Sequence, residues 1–223
     1  MTHQSSRNIH STDEEVMAAH AAGTLPTGHH LVLSCQADLQ PDIARKLAAY
    51  DAVGGAVIET AQAEHLSDAF IGRLMDALDD GDETTNSVAQ KREAPAWMPA
   101  ALAEYLDRAG IELKWRSVGP GVQHAPIVTS KSGERVYLLR AAPGTKMPVH
   151  SHSGEEWTLI LQGGYHVGKI GYERGDLHCE NEACEHQPII DDDGEVCISL
   201  VADQGRLRFR NPLLKLFQLV TRI

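Results

Sequence analysis

The chain has 223 residues, 42% of them hydrophobic, and a formal net charge of -11 at pH 7. That length and apolar content suffice for one large or two small domains with proper cores and exclude a fibrous or disordered chain, and the charge argues against a sequence-independent grip on nucleic-acid phosphates. The acid is unevenly spread: residues 1–110 carry 7 Lys and Arg against 17 Asp and Glu, and residues 111–223 carry 13 against 14.

The N-terminal stretch MTHQSSRNIHSTDEE is polar, and no apolar run approaches the roughly 18 residues of a membrane span. A cytoplasmic protein that does not enter a membrane is expected. Cys35, Cys179, Cys184 and Cys197 show neither a CxxC spacing nor a disulfide framework, in keeping with a reducing compartment.

Residues 12–80 read as helical. Between Asp42 and Thr60, Ile43, Leu47, Tyr50, Val57 and Ile58 fall near one face, and between Leu66 and Leu78 so do Phe70, Ile71, Leu74, Met75 and Leu78. Turns at GTLPTG and QPD separate the pieces, which predicts a small helical bundle. The run DDGDETTNSVAQKREAP, 79–95, is charged, aperiodic and ends in proline, so it reads as a solvated linker. The segment PAALAEYLDRAG predicts one more helix. The expected division is a helical domain over 1–88, a linker and connecting helix over 89–110, and a β domain over 111–223.

From Ile111 onward the texture changes to short runs with period-two alternation and glycine-rich breaks. ELKWRSV, RVYLLRA, EWTLILQ, EVCISLVA and LKLFQLV are spaced as in a β-sandwich or barrel. The stretch HSHSGEEWTLILQGG, 150–164, carries the chemistry. Residues two apart on a strand project to one face, so His150 and His152 can both point into a barrel. Ser153 and Gly154 then allow a bend before Glu156. Neutral imidazoles and a carboxylate suit Zn²⁺, Fe²⁺, Mn²⁺ or Ni²⁺.

The series Gly144, His150, His152, Glu156 and Gly163 resembles the first motif of the cupins at every named position. A second cupin motif opens at Gly175-Asp176 and in register supplies His186 as a fourth ligand, although Asn181 and Ala183 stand where that family has proline and glycine. His178 is the rival fourth ligand, lying earlier on the same β-like segment. The four residues His150, His152, Glu156 and His186 by themselves admit a structural, sensing or catalytic metal.

The whole chain resembles the ChrR-type anti-sigma factors, through AAGTLP at 21–26, DAVGG at 51–55, KWRSVGPGV at 114–122, HSHSGEEWTLILQG at 150–163, GD at 175–176 and EHQP at 185–188. The resemblance implies an α plus all-β protein that is a regulator and not an enzyme: a helical anti-sigma domain that sequesters an extracytoplasmic-function sigma factor, and a C-terminal cupin jelly roll that governs release under singlet-oxygen type stress. It implies one Zn²⁺ per chain at His150, His152, Glu156 and His186, with Fe²⁺ or Mn²⁺ as alternatives, and no direct nucleic-acid contact. The alternative is a metal-dependent cupin enzyme, a dioxygenase or isomerase, with a helical oligomerisation arm.

The N-terminal part departs from that family. Relatives carry a zinc-binding H-x3-C-x2-C, and the register places Gln36, Gln40 and Ile43 there, with a further family histidine falling near His10 or Ser11. Neither an amide nor an isoleucine replaces a thiolate or an imidazole. No zinc is therefore expected in the helical domain, and apolar packing must hold it. One buried side chain such as Ile43 contributes about 2 kcal/mol.

Overall fold

A computed structural model describes residues 14–79, 94–129, 133–180, 185–205 and 207–209. Five helices precede eleven strands: α1 (Glu14–Ala21), α2 (Thr27–Leu39), α3 (Pro41–Thr60), α4 (Asp68–Asp79), α5 (Ala100–Ala109), then β1 (Arg116–Gly119), β2 (Val122–Thr129), β3 (Arg135–Ala141), β4 (His150–His152), β5 (Glu156–Gln162), β6 (Gly164–Val167), β7 (Ile170–Glu173), β8 (Leu177–Glu180), β9 (Pro188–Ile190), β10 (Cys197–Asp203) and β11 (Leu207–Phe209). The main sheet has the order β1-β2-β3-β10-β5-β8. A three-stranded sheet, β7-β6-β9, and a pair, β11-β4, complete the barrel.

Strands β5 and β10 pair antiparallel in the middle of the main sheet, and both are buried along nearly their whole length. The period-two rule explains how. Trp157, Leu159 and Leu161 of β5, with Ile198, Leu200 and Ala202 of β10, join one hydrophobic cluster with Met17, Leu31, Leu33, Ile43 and Leu102 of the helices. The alternate residues face into the barrel, where Ile160 packs with Tyr165, Tyr172 and Ile190. The helices and the barrel thus share a core across the outer face of the sheet, and α2 makes the contact, lying on β5 and β10.

Two helices begin after a proline, which has no side-chain oxygen to cap them, and each borrows a distant carboxylate. Pro26 precedes α2, and the Gly28 amide donates to Glu134 Oε1 at 2.8 Å. Pro99 precedes α5, and the Ala101 amide donates to Asp38 Oδ2 of α2 at 2.7 Å. A carboxylate on free amides at a helix N-terminus satisfies unpaired donors and complements the helix dipole. The connecting helix, which its sequence left free to pack on either half, is thereby pinned to α2 and buries Leu102 and Leu106.

Gly28 is where α2 comes closest to the sheet. A Cβ at this position would lie 2.5 Å from Val136 Cγ2 and 2.8 Å from Glu134 Oε1. Gly28→Ala is accordingly expected to lower stability by about 1–3 kcal/mol through overpacking, despite the better helix propensity of alanine. Urea unfolding read at both helical and barrel signals checks this.

The helices form a small bundle, as the periodicity predicted, with α1, α2, α3 and α5 in contact, but it is open on one side. Ile43 and Leu47 at the start of α3 are buried, but Val53, Val57 and Ile58 further along it are exposed. The whole predicted face of α4 and the turn before it, Leu66, Phe70, Ile71, Leu74, Met75 and Leu78, is 44–67% exposed. These helices are amphipathic as read, yet no described residue covers the apolar side. The linker 80–93 and the run LKLFQLV lie outside the described residues. ELKWRSV becomes a strand only from Arg116.

Candidate metal centre

The three histidines of the two motifs meet inside the barrel. His150 and His152 sit at the ends of β4, and His186 faces them through a backbone bridge in which His150 and His186 exchange N–H···O bonds of 3.1 and 2.9 Å. The ring centroids of His150 lie 5.1 Å from His152 and 4.4 Å from His186, and those of His152 and His186 are 5.3 Å apart. All three are buried, with ligand nitrogens within 4.8 Å of one another.

Each imidazole has an oxygen behind its Nδ1. His150 Nδ1 donates to Pro148 O at 2.7 Å, His152 Nδ1 lies 3.3 Å from Glu156 Oε2, and His186 Nδ1 lies 3.4 Å from Glu180 Oε1. The Pro148 carbonyl fixes the His150 tautomer and leaves its Nε2 to the centre, whereas the Nδ1 atoms of His152 and His186 make no hydrogen bond among the described residues. Burial, aided by the His186 ring, holds both His150 and His152 down to about 4, so they are neutral at physiological pH. His152 is fully buried, and its Nε2 has no hydrogen-bond partner among the described residues. A buried polar atom with nothing to bond to is costly. A cation among the three rings would satisfy it, so the donor set fits a metal.

Glu156 stands beside this group rather than in it. Its carboxylate clusters with His152 and Asp203 and accepts from Thr158 Oγ1 at 3.2 Å and from the Tyr137 hydroxyl at 3.5 Å. Its position at the start of β5, across the ladder from Asp203 and Glu180, explains the company it keeps.

His178 is occupied elsewhere. Its Nε2 donates to Glu180 Oε1 at 2.8 Å and its Nδ1 accepts from the Tyr165 hydroxyl at 2.7 Å, so neither ring nitrogen is free. Burial opposes the ionisation of Glu180, but the hydrogen bond from His178 and the nearby His186 ring outweigh it and hold its carboxyl well below the usual range. Asp203 shows the opposite balance: burial pushes its carboxyl up, against the attraction of the Arg135 guanidinium that donates to it. Glu180 and Asp203 were not singled out from the sequence. Each lies at the end of a strand, where an acid usually reaches water, and only the barrel curvature turns it inward.

A cavity of about 620 Å³ opens onto the centre. His150, Glu156 and His186 line its floor, while Val122, Leu139, Met147 and Phe209 are among its apolar walls. His152 is not exposed in it, so the cavity meets the cluster from the side opposite that residue.

The thiols are poor candidates for the redox element. Burial pushes Cys35 and Cys197 up to about 12 and Cys179 well above its usual value, which leaves about 1 part in 10⁴ of Cys35 as thiolate at pH 8. Iodoacetamide is expected to leave Cys35 and Cys197 unmodified in the native chain over a period that fully labels the unfolded one, as read by mass spectrometry. Cys184 lies outside the described residues.

Comparison with known proteins follows the same lines. The family described as ChrR Cupin-like domain matches residues 110–203. The anti-sigma-E factor ChrR of Cereibacter sphaeroides is 34% identical over 215 residues, 96% of this chain and 98% of that protein. The chain belongs to the ChrR-type anti-sigma factor family. Among solved structures of the family, Rhodobacter sphaeroides SigE in complex with the anti-sigma ChrR is similar with a TM-score of 0.70 at 30% identity, covering 86% of this chain and 97% of that one. The α plus cupin architecture is therefore that of the ChrR family. Gln36, Gln40 and Ile43 stand inside it as packed residues, with Gln36 and Ile43 buried.

Proposed function

We propose that this chain is an anti-sigma factor that sequesters an extracytoplasmic-function sigma factor through its helical part, and that its cupin domain holds one Zn²⁺ at His150, His152, Glu156 and His186. The observation that carries the first half is the uncovered apolar face of α3 and α4, presented by an acidic helical region in a family whose solved relative is a complex with SigE. Isolated exposed hydrophobes are ordinary, but a face of this extent on consecutive helices marks an interaction surface. The basic surfaces by which a sigma factor grips polymerase or promoter suit the surrounding acid.

The unpartnered His152 nitrogen and the three converging rings support the second half. Turning the Glu156 carboxylate from Tyr137 toward the rings completes four ligands. The chemistry of such a centre is that of a sensor: the cavity gives a small oxidant access to the ligand side chains, and damage or loss of the centre under singlet-oxygen type stress releases the partner. The protein works in the cytoplasm and performs no turnover.

Co-expression with the sigma factor encoded beside it tests this reading. A stable one-to-one complex is expected on purification. Failure to form any complex with neighbouring sigma factors, together with turnover of an oxidisable substrate that His150→Ala abolishes, would favour the enzyme alternative.

A further inference from the structure

The helical part touches the turn that leads into the strand standing behind His186. Strand β8 carries His178 and Glu180, whose hydrogen-bonded side chains stand behind His186. The turn that leads into β8 is Gly175-Asp176. There the Gln36 amide of α2 donates to Gly175 O at 3.3 Å, and a Cβ on Gly175 would lie 2.6 Å from Gln40 Nε2. Gly175 has a φ of +93°, so glycine is needed both for the turn and for the approach of Gln40.

Gln40 is also the single residue between α2 and α3. It is extended, at φ -125°, and its amide returns to Gln36 O at 2.8 Å. Holding its side chain against Gly175 therefore sets the angle at which α3, with its exposed apolar half, leaves α2. These are two of the three positions, with Ile43, where the H-x3-C-x2-C ligands of relatives fall in register. In this chain they hold the barrel instead.

We propose that Gln36 and Gln40 are the joint through which the state of the metal centre reaches the helices: His186 through Glu180 and His178 on β8, the Gly175 turn, and then the α2–α3 corner. The inference rests on the metal reading above and deepens it. The other end of α2 is fixed differently, by Glu134 and by the close approach of Gly28 to Val136 and Ala202 in the long β3–β10 ladder. The metal-linked response is consequently expected to be largest at the α2–α3 corner, although α2 also packs on β5, where His29 meets Trp157 beside Glu156.

Hydrogen exchange on the full chain, with one equivalent of Zn²⁺ or with a chelator, tests this. On removing zinc, exchange is expected to rise about fivefold or more over residues 34–47, to change less over 27–33, and to rise over 150–156. In Gln40→Ala, and in Gln36→Leu, which keeps volume but loses the donor, the zinc dependence over 34–47 should vanish while that over 150–156 persists. Gln40 is half-buried, so its variant decides the matter if Gln36→Leu unfolds. Zinc-dependent exchange at 150–156 with none at 34–47 in the unmodified chain would overturn the joint, as would dependence at 34–47 surviving in both variants. If zinc alters exchange nowhere, the metal reading falls, and the joint with it.

Discussion

His152→Ala is expected to reduce bound zinc from one equivalent per chain to none measurable by elemental analysis. His152 is the fully buried member of the cluster, and neither ring nitrogen has a hydrogen-bond partner among the described residues, so it has the least to do in the absence of an ion. His178→Ala is the informative comparison. That ring is nearly as close to His186, with centroids 5.7 Å apart against 5.3 Å for His152, but it spends both nitrogens on Glu180 and Tyr165. Its loss should weaken zinc binding by about 10–100-fold, the effect of an outer partner, and leave the stoichiometry at one when zinc is in excess. A full equivalent retained in His152→Ala, or two equivalents in the unmodified protein, would sink the assignment of a single centre here.

The second large effect is on the partner. Phe70→Glu combined with Leu74→Glu is expected to weaken the sigma complex by about 100-fold or more, since large side chains at the middle of an interface carry most of its free energy. Both side chains are exposed in the free chain, at 44% and 47%, and neither belongs to a core cluster. The melting temperature of the free chain should therefore hardly move. A complex of unchanged affinity would remove α4 from the interface, whereas a fall in melting temperature would mean that α4 packs on its own chain.

The two halves of the site differed in how plainly the sequence announced them. β5 was readable because its alternation sorts a strand buried on both faces: Glu156 and Thr158 to the cavity, Trp157, Leu159 and Leu161 to the helices. β2 was not, because His124 and Pro126 break its alternation, and its pairing skips register between Pro126 and Val128. The helix faces were readable and what covers them was not. Hydrophobic periodicity shows that a face seeks cover, but it is silent on whether the cover lies in the same chain, and for α4 no described residue supplies it. Glu180 and Asp203 escaped notice because their burial comes from long-range pairing of β8 and β10 with β5. Gln36 and Gln40 were read for what they could not ligate. Their contacts with Gly175 needed the fold.

The strand that carries His150 and His152 has one further implication. β4 is three residues long and pairs with the three residues of β11, outside the six-stranded sheet, whereas Glu156 opens the strand at the heart of that sheet. A pair so short is marginal by itself. One wall of the site is thus set in the main sheet, whereas the opposite wall hangs on β11 and on the two backbone bonds between His150 and His186. Affinity measured for a metal bound as proposed would include the cost of ordering that wall, and its release would not await global unfolding, since β4 would peel away while the main sheet stays intact. A metal held as proposed would leave the barrel at that seam.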